Sequence, residues 1–181
     1  MTKIINIITT SRIIVAPVIF IFLIFDNYFL SIILLFFAGF SDFFDGYLAR
    51  KYNAESEIGA ILDPIADKIL IVFLILGIAI ELNSSLVSFM GSIIISREIF
   101  ISALRDFNAR NNITGATDVT FLAKVKTSIQ IFTLLMYLVA LAFNNMFIII
   151  IADIMLIIST IITIYTGYTY GLVSFSKYKE S

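Results

Sequence analysis

Cysteine and histidine are both absent from this 181-residue sequence. Disulfides, Cys/His zinc sites and thiol nucleophiles are therefore excluded, and so is imidazole acid–base chemistry. Any catalysis must run on carboxylates, hydroxyls, amines and guanidinium groups, which suit hard metal ions and phosphate. Charge is scarce as well. Asp, Glu, Lys and Arg make up 14% of the chain, where a soluble globular domain has about a quarter. Hydrophobic residues reach 60% and the mean hydropathy is +1.05. So little polar surface cannot coat a water-soluble body, and lipid is the expected solvent for most of the chain. The net charge of −1 says nothing about partners; the placement of charge says more.

What is present is a series of apolar runs, each about as long as a bilayer requires. Six spans are expected: Thr10–Phe25, Tyr28–Tyr47, Ile58–Ile80, Leu86–Asp106, Val119–Phe143 and Met146–Gly171. The first is the shortest, with its unbroken apolar run confined to Ile13–Phe25. Short turns follow spans one, three and five, and longer polar connections, Leu48–Glu57 and Phe107–Asp118, follow spans two and four. Ahead of the first span, Lys3–Arg12 places Ile4, Ile7 and Ile8 on one helical face and Asn6, Thr9 and Thr10 on another, the pattern of a short interfacial helix. A signal peptide is not expected, because the basic start is weak and no A-x-A site follows. The expected fold is thus one all-α integral membrane domain over residues 1–181, with six transmembrane helices and a short N-terminal interfacial helix.

Lys3, Arg12, Arg50, Lys51, Arg105, Arg110, Lys124, Lys126, Lys177 and Lys179 all fall at one set of helix ends, and the three short turns carry no Lys or Arg. The positive-inside rule then puts both termini in the cytoplasm. Lys68 and Arg97 lie within spans, in the cytoplasmic half.

The informative stretch is Ser41–Lys68. Asp42 and Asp45 are three apart at the end of span two, and Asp63 and Asp67 are four apart near the start of span three, so each pair shares a helix face. The direct connection Leu48–Glu57 makes the two helices expected neighbours, with four carboxylates converging on one cavity. Solvated or salt-bridged helix ends are the plain alternative. Cost weighs against it: a carboxylate at membrane depth costs about 2.5–3.5 kcal/mol, and mutual repulsion adds to that. Divalent cations can neutralise such a cluster, and all-oxygen ligands select Mg²⁺, Mn²⁺ or Ca²⁺. Two of them would clamp a phosphate for in-line displacement. Gly46 and Ala49 leave room for a ligand along the helix, Gly59 allows close helix approach, and Arg50 can donate two hydrogen bonds to a phosphate.

The full pattern D-x2-D-G-x2-A-R-x8-G-x3-D-x3-D, from Asp42 to Asp67, resembles the signature of the CDP-alcohol phosphatidyltransferase family, and the six-span reading resembles that family over nearly the whole chain. The resemblance implies metal ligation by Asp42, Asp45, Asp63 and Asp67, with two Mg²⁺ or Mn²⁺ ions, and a general-base role for Asp67. It implies that Gly46 and Ala49 accommodate the cytidine nucleotide of a CDP-lipid and that Arg50 meets its phosphates. Asn6, Thr9 and Arg12 match an N-x2-T-x2-R pattern of the family and are expected at the nucleotide end; a plain helix-start motif is the alternative reading.

The runs Leu62–Lys68, Ser96–Arg105 and Ala123–Thr127 resemble family members whose donor is CDP-diacylglycerol and whose acceptor is sn-glycerol 3-phosphate, although Ala123 stands where those members usually have Gly. Arg97, inside a span, needs an anionic partner, either Glu98 or another carboxylate, or a bound phosphate. Arg105, Lys124 and Lys126 add cations at the cytoplasmic mouth. The two lysines are about 200° apart on a helix, so both are not expected to line one pocket, and Thr127 shares the face of Lys124. Asp153 has no role in this scheme. The spacing Gly167-x3-Gly171 permits close helix packing, and a homodimer is one arrangement compatible with it. No nucleic acid is expected as a partner. The expected location is the inner membrane, with the site facing the cytoplasm. Two rivals differ. A family member using phosphatidylglycerol as acceptor would make cardiolipin and would need a pocket for a second lipid. A cation transporter would also cluster carboxylates in the membrane, but its site commonly lies near the midplane between inverted repeats.

Overall fold

In the computed structural model, the backbone is described over residues 2–52, 57–113, 115 and 121–180. Among the described residues there are six α-helices and no strand: α1 (Thr2–Ile24), α2 (Tyr28–Lys51), α3 (Glu57–Glu81), α4 (Ser85–Arg110), α5 (Phe121–Ala142) and α6 (Met146–Glu180). The expected interfacial helix is not a separate element. Lys3–Arg12 forms the first turns of α1 and continues into the apolar stretch without a break. The reason is local: neither Gly nor Pro interrupts Lys3–Ala16, so nothing ends the helical hydrogen-bond ladder there. Pro17 is accommodated within α1.

Four helices stop in the same way. Asp26, Asn83, Asn112 and Asn144 take positive φ of 60°, 46°, 54° and 47°, a conformation that Asp and Asn tolerate better than other non-glycine residues. After α1, the Asn27 amide donates to the Phe22 carbonyl at 2.9 Å and the Asp26 amide to the Leu23 carbonyl at 3.1 Å, the paired bonds of a Schellman motif. The same pair recurs after α3, α4 and α5. Ser84 then caps α4 by accepting from the Val87 amide. The side chain of Asn145 accepts from the Phe147 and Ile148 amides at the start of α6. The short turns expected after spans one, three and five, which contain Asp26, Asn83 and Asn144, therefore hold neighbouring helices antiparallel.

The helices α4, Val125–Ala142 and Met146–Lys179 are long and apolar enough to cross a membrane, and Ile8–Ile24 and Tyr28–Ser41 are shorter apolar stretches. Large apolar side chains point outward from all six helices, among them Ile14, Phe36, Ile61, Phe89, Phe132 and Ile161. Polar side chains are found inside, including Thr9, Arg12, Lys126, Gln130 and Thr163. An apolar exterior around a core that contains polar groups is the arrangement for a membrane protein.

Helix α1 packs most extensively against α3 and also against α2; α5 touches α2, α3 and α6, while α4 packs on α3 and α6. Among the described residues, α1 and α5 each pack against both α2 and α3; the facing ends of α2 and α3 that carry the aspartate pattern lie partly outside the described residues. Ala16, Ile19 and Leu23 of α1 join Leu70, Leu74 and Ile78 of α3 in the main apolar core. Gly91 brings α4 so close to α3 that a Cβ there would meet Ile75 Cγ2 at 2.2 Å. Asp153, unassigned by the sequence, accepts a hydrogen bond from the Tyr137 hydroxyl at 2.5 Å and so ties α6 to α5.

Candidate active site

Asp63 and Asp67 occupy one face of α3, with their carboxylates about half exposed. Gly59, one turn earlier, is buried. The apposed face of α1 supplies Thr9 and Arg12. The Thr9 hydroxyl donates to Asp63 Oδ1 at 3.0 Å. Arg12 spans both carboxylates, with Nη1 2.8 Å from Asp67 Oδ1 and Nη2 3.2 Å from Asp63 Oδ1. Its guanidinium is only 1% exposed, so the charge is held between α1 and α3. A guanidinium presents several donors in a fixed plane, which is why one arginine can orient two carboxylates. Thr9 and Arg12, expected at the nucleotide end, are thus placed where they hold the α3 aspartates.

Asp63 and Asp67 offer hard oxygen donors that fit Mg²⁺ or Mn²⁺. The contacts of Asp63 fall on Oδ1, which leaves Oδ2 available as a donor. No group of three carboxylates converges among the described residues. Asp42, Asp45, Gly46, Ala49 and Arg50 lie on α2, and their side chains are outside the described residues, as are those of Asn6 and Lys124.

A cavity of about 190 Å³ opens directly beside Asp67, between α3, α4, α5 and α6. Its walls carry four cations, Lys68, Arg97, Arg105 and Lys126, against two carboxylates, Asp67 and Glu98. Four positive and two negative charges leave an excess of two positive charges. Arg97 is fixed from several sides. Nη1 is 3.1 Å from Glu98 Oε1, Nη2 donates to Thr166 Oγ1 at 3.0 Å, and the guanidinium carbon lies 5.8 Å from the centre of the Tyr170 ring. Glu98 Oε1 also accepts from Lys126 Nζ, so one carboxylate gathers two cations from α4 and α5. Lys68 Nζ is hydrogen-bonded to the Ser102 hydroxyl. Arg105 lines the same cavity with an exposed side chain.

Of the partners considered for Arg97, Glu98 is observed, and Arg97 also borders the cavity. Lys126 is buried and lies on the cavity wall with Thr127. Four contributors were not assigned from the sequence: Glu98 as a bridge from Arg97 to Lys126, Thr166 and Tyr170 as supports for Arg97, and Gly167. A Cβ at Gly167 would stand 3.0 Å from Arg97 Cγ, so this glycine makes room for the arginine. The only sequence signals were the adjacency of Arg97 and Glu98 and the Gly167-x3-Gly171 spacing.

Comparison with known proteins bears on the same residues. The sequence profile of the CDP-alcohol phosphatidyltransferase family matches residues 3–166. The chain is 37% identical over 169 residues to the CDP-diacylglycerol–glycerol-3-phosphate 3-phosphatidyltransferase of Rickettsia felis, covering 91% of each chain. It is 36% identical over 169 residues to the protein of that name in Rickettsia prowazekii, again covering 91% of each. With the Wigglesworthia glossinidia brevipalpis protein of that name it shares 41% identity over 133 residues, covering 70% of this chain and 73% of the other. Similarity that runs from α1 into α6 and takes in the whole aspartate pattern makes this chain a member of the CDP-alcohol phosphatidyltransferase family.

Proposed function

We propose that this chain transfers the phosphatidyl group of CDP-diacylglycerol to sn-glycerol 3-phosphate, giving phosphatidylglycerophosphate and CMP. The observation that carries the acceptor assignment is the cavity beside Asp67, whose excess of two positive charges matches a phosphate monoester of charge about −1.5 to −2. The names of the similar proteins from Rickettsia and Wigglesworthia agree with that acceptor.

Asp67 is the described carboxylate common to the aspartate motif and the acceptor cavity, which supports its role as general base. Its carboxylate accepts the proton of the attacking primary hydroxyl. The new bond forms between that oxygen and the lipid-side phosphorus, the bond from that phosphorus to the CMP oxygen breaks, and CMP leaves. Arg12 and Thr9 fix the orientation of Asp67 and Asp63 through the attack. Arg97, Arg105 and Lys126 hold the acceptor phosphate at the other end of the cavity, and Lys124 stands on the same helix. Two Mg²⁺ or Mn²⁺ ions, held by Asp42, Asp45, Asp63 and Asp67, supply charge neutralisation at the pyrophosphate when bound. Gly46, Ala49 and Arg50 of α2, with Asn6 of α1, receive the nucleotide. The chain crosses the inner membrane six times with both termini and the cavity mouth on the cytoplasmic side, an orientation supported by the Lys and Arg residues at one set of helix ends. The Gly167 and Gly171 face meets Arg97 and Phe100 within the chain, so a homodimer would have to form elsewhere or beside it.

The cavity is smaller than the 300–1,000 Å³ or so typical of drug-sized ligands, which favours a small acceptor over a second phospholipid. An acceptor panel tests this. Purified protein with CDP-diacylglycerol and Mg²⁺ should release CMP with sn-glycerol 3-phosphate and not with phosphatidylglycerol, inositol phosphate or serine. CMP release that depends on phosphatidylglycerol would move the chain to the cardiolipin-forming reaction.

A further inference from the structure

We infer that Gln130 reads the secondary hydroxyl of the acceptor, making it a specificity-determining residue of the cavity. The inference rests on the acceptor cavity proposed above and adds a contact that neither the aspartate pattern nor the cation cluster supplies. Gln130 lies on α5 one turn beyond Lys126, on the same face. It is 3% exposed, yet neither its amide nitrogen nor its amide oxygen has a hydrogen-bond partner among the described residues. Buried amides are rarely left in that state, because desolvation without a partner is costly.

The position of the residue says where a partner can come from. Gln130 and Ile71 line the cavity beside Asp67 and also a void of about 10 Å³. The other walls of that void, Ile75, Ile94, Leu134 and Leu156, are apolar. A water molecule needs two or more polar partners, and the void offers only the glutamine itself. The partner must therefore come from the cavity. Since α5 enters the protein from the Lys126 end, Gln130 is a turn deeper than the cation cluster, at the level of Ile71, which is itself one turn beyond Asp67 on α3.

The chemistry of the amide selects the ligand group. Phosphate oxygens would serve the nitrogen and leave the carbonyl oxygen unmatched, whereas a hydroxyl both donates and accepts. With the phosphate held by Arg97, Arg105 and Lys126 and the primary hydroxyl presented to Asp67, the group of glycerol phosphate still without a partner is the hydroxyl on its middle carbon.

The test compares two acceptors, sn-glycerol 3-phosphate and 3-hydroxypropyl phosphate, which lacks only that hydroxyl. The wild-type protein should favour glycerol 3-phosphate in kcat/KM by roughly ten- to a hundredfold. Gln130→Met keeps the volume and removes the amide. It should bring glycerol 3-phosphate down to the level of the deoxy acceptor, while the deoxy acceptor and CDP-diacylglycerol stay within about threefold of wild type. Gln130→Asn, which withdraws the amide by one methylene, should also lose the preference if the methionine variant cannot be purified. An undiminished preference in either variant, an equal fall for both acceptors, or no preference in the wild type would overturn the inference. If the wild type uses neither phosphorylated alcohol but transfers to another acceptor, the proposed function itself fails, and the role of Gln130 falls with it.

Discussion

Arg12 and Asp67 meet across α1 and α3 with Nη1 2.8 Å from Oδ1, the guanidinium buried and the carboxylate half exposed. A second branch of the same guanidinium reaches Asp63. The cation is thus buried between α1 and α3 and holds both half-exposed carboxylates. Arg12→Lys should lower kcat about tenfold or more, since an ammonium is a point charge without the planar fork that spans two partners. The apparent metal affinity should weaken in the same variant as Asp63 loses its orientation. Steady-state rates across a Mg²⁺ titration check this. A lysine variant with wild-type kcat and metal midpoint would show that orientation by Arg12 is dispensable.

Asp67 and Asp63 share Arg12, but only Asp67 lines the acceptor cavity. Asp67→Asn should therefore lose kcat by about 10²–10⁴-fold, with modest changes in both KM values and no recovery at high Mg²⁺. Asp63→Asn and Asp45→Asn should weaken metal binding and recover in part as Mg²⁺ is raised. Rescue of Asp67→Asn to the same extent would make Asp67 primarily a ligand and require another base.

These residues also show how far the sequence was legible. The aspartates stood out because intervals of three and four within one helix are visible in one dimension, and a carboxylate in an apolar run is costly enough to need a reason. The helix ends at Asp26, Asn83 and Asn144 were legible because short polar turns interrupt the apolar runs there. The link from Arg12 to Asp63 and Asp67 was not, because it joins α1 to α3 across more than 50 residues, and no local pattern encodes such a pairing. The choice between Lys124 and Lys126 stayed open for a related reason. Helical phase gives the angle between two side chains but not which one faces Glu98. The continuity of α1 was masked by reading its polar and apolar halves as two elements.

Glu98 neutralises Arg97 and Lys126 together. Glu98→Gln leaves two buried cations with a weaker partner, and removing one member of such a cluster costs about 3–5 kcal/mol when burial is complete. The partial exposure of Glu98 makes the loss smaller, but the thermal midpoint should still fall. Inorganic phosphate or glycerol 3-phosphate should raise the midpoint of the variant more than that of wild type, because the anion takes over the missing charge. Equal shifts in both proteins would count against anion binding at Arg97 and Lys126.

Gly167 leaves little room beside Arg97, with 3.0 Å from an added Cβ to Arg97 Cγ and 3.4 Å to Nε. Gly167→Ala should displace Arg97 by a few tenths of an ångström and raise the KM for glycerol 3-phosphate about three- to tenfold, with the KM for CDP-diacylglycerol unchanged. Arg105→Ala, which removes a charged contact outright, should cost about ten- to a hundredfold in kcat/KM for the acceptor. A selective loss of the CDP-lipid in either variant would place the two pockets the other way round.

One metal-dependent site should join CDP-diacylglycerol to glycerol 3-phosphate in a single direct transfer. The most direct measurement follows CMP and labelled glycerol 3-phosphate in the same reaction, with the purified protein in lipid vesicles, before and after addition of excess EDTA. One labelled phosphatidylglycerophosphate should form for each CMP released, and neither should form further once the metal is chelated. CMP release without incorporation of the label, or undiminished transfer in excess EDTA, would contradict a direct metal-dependent transfer.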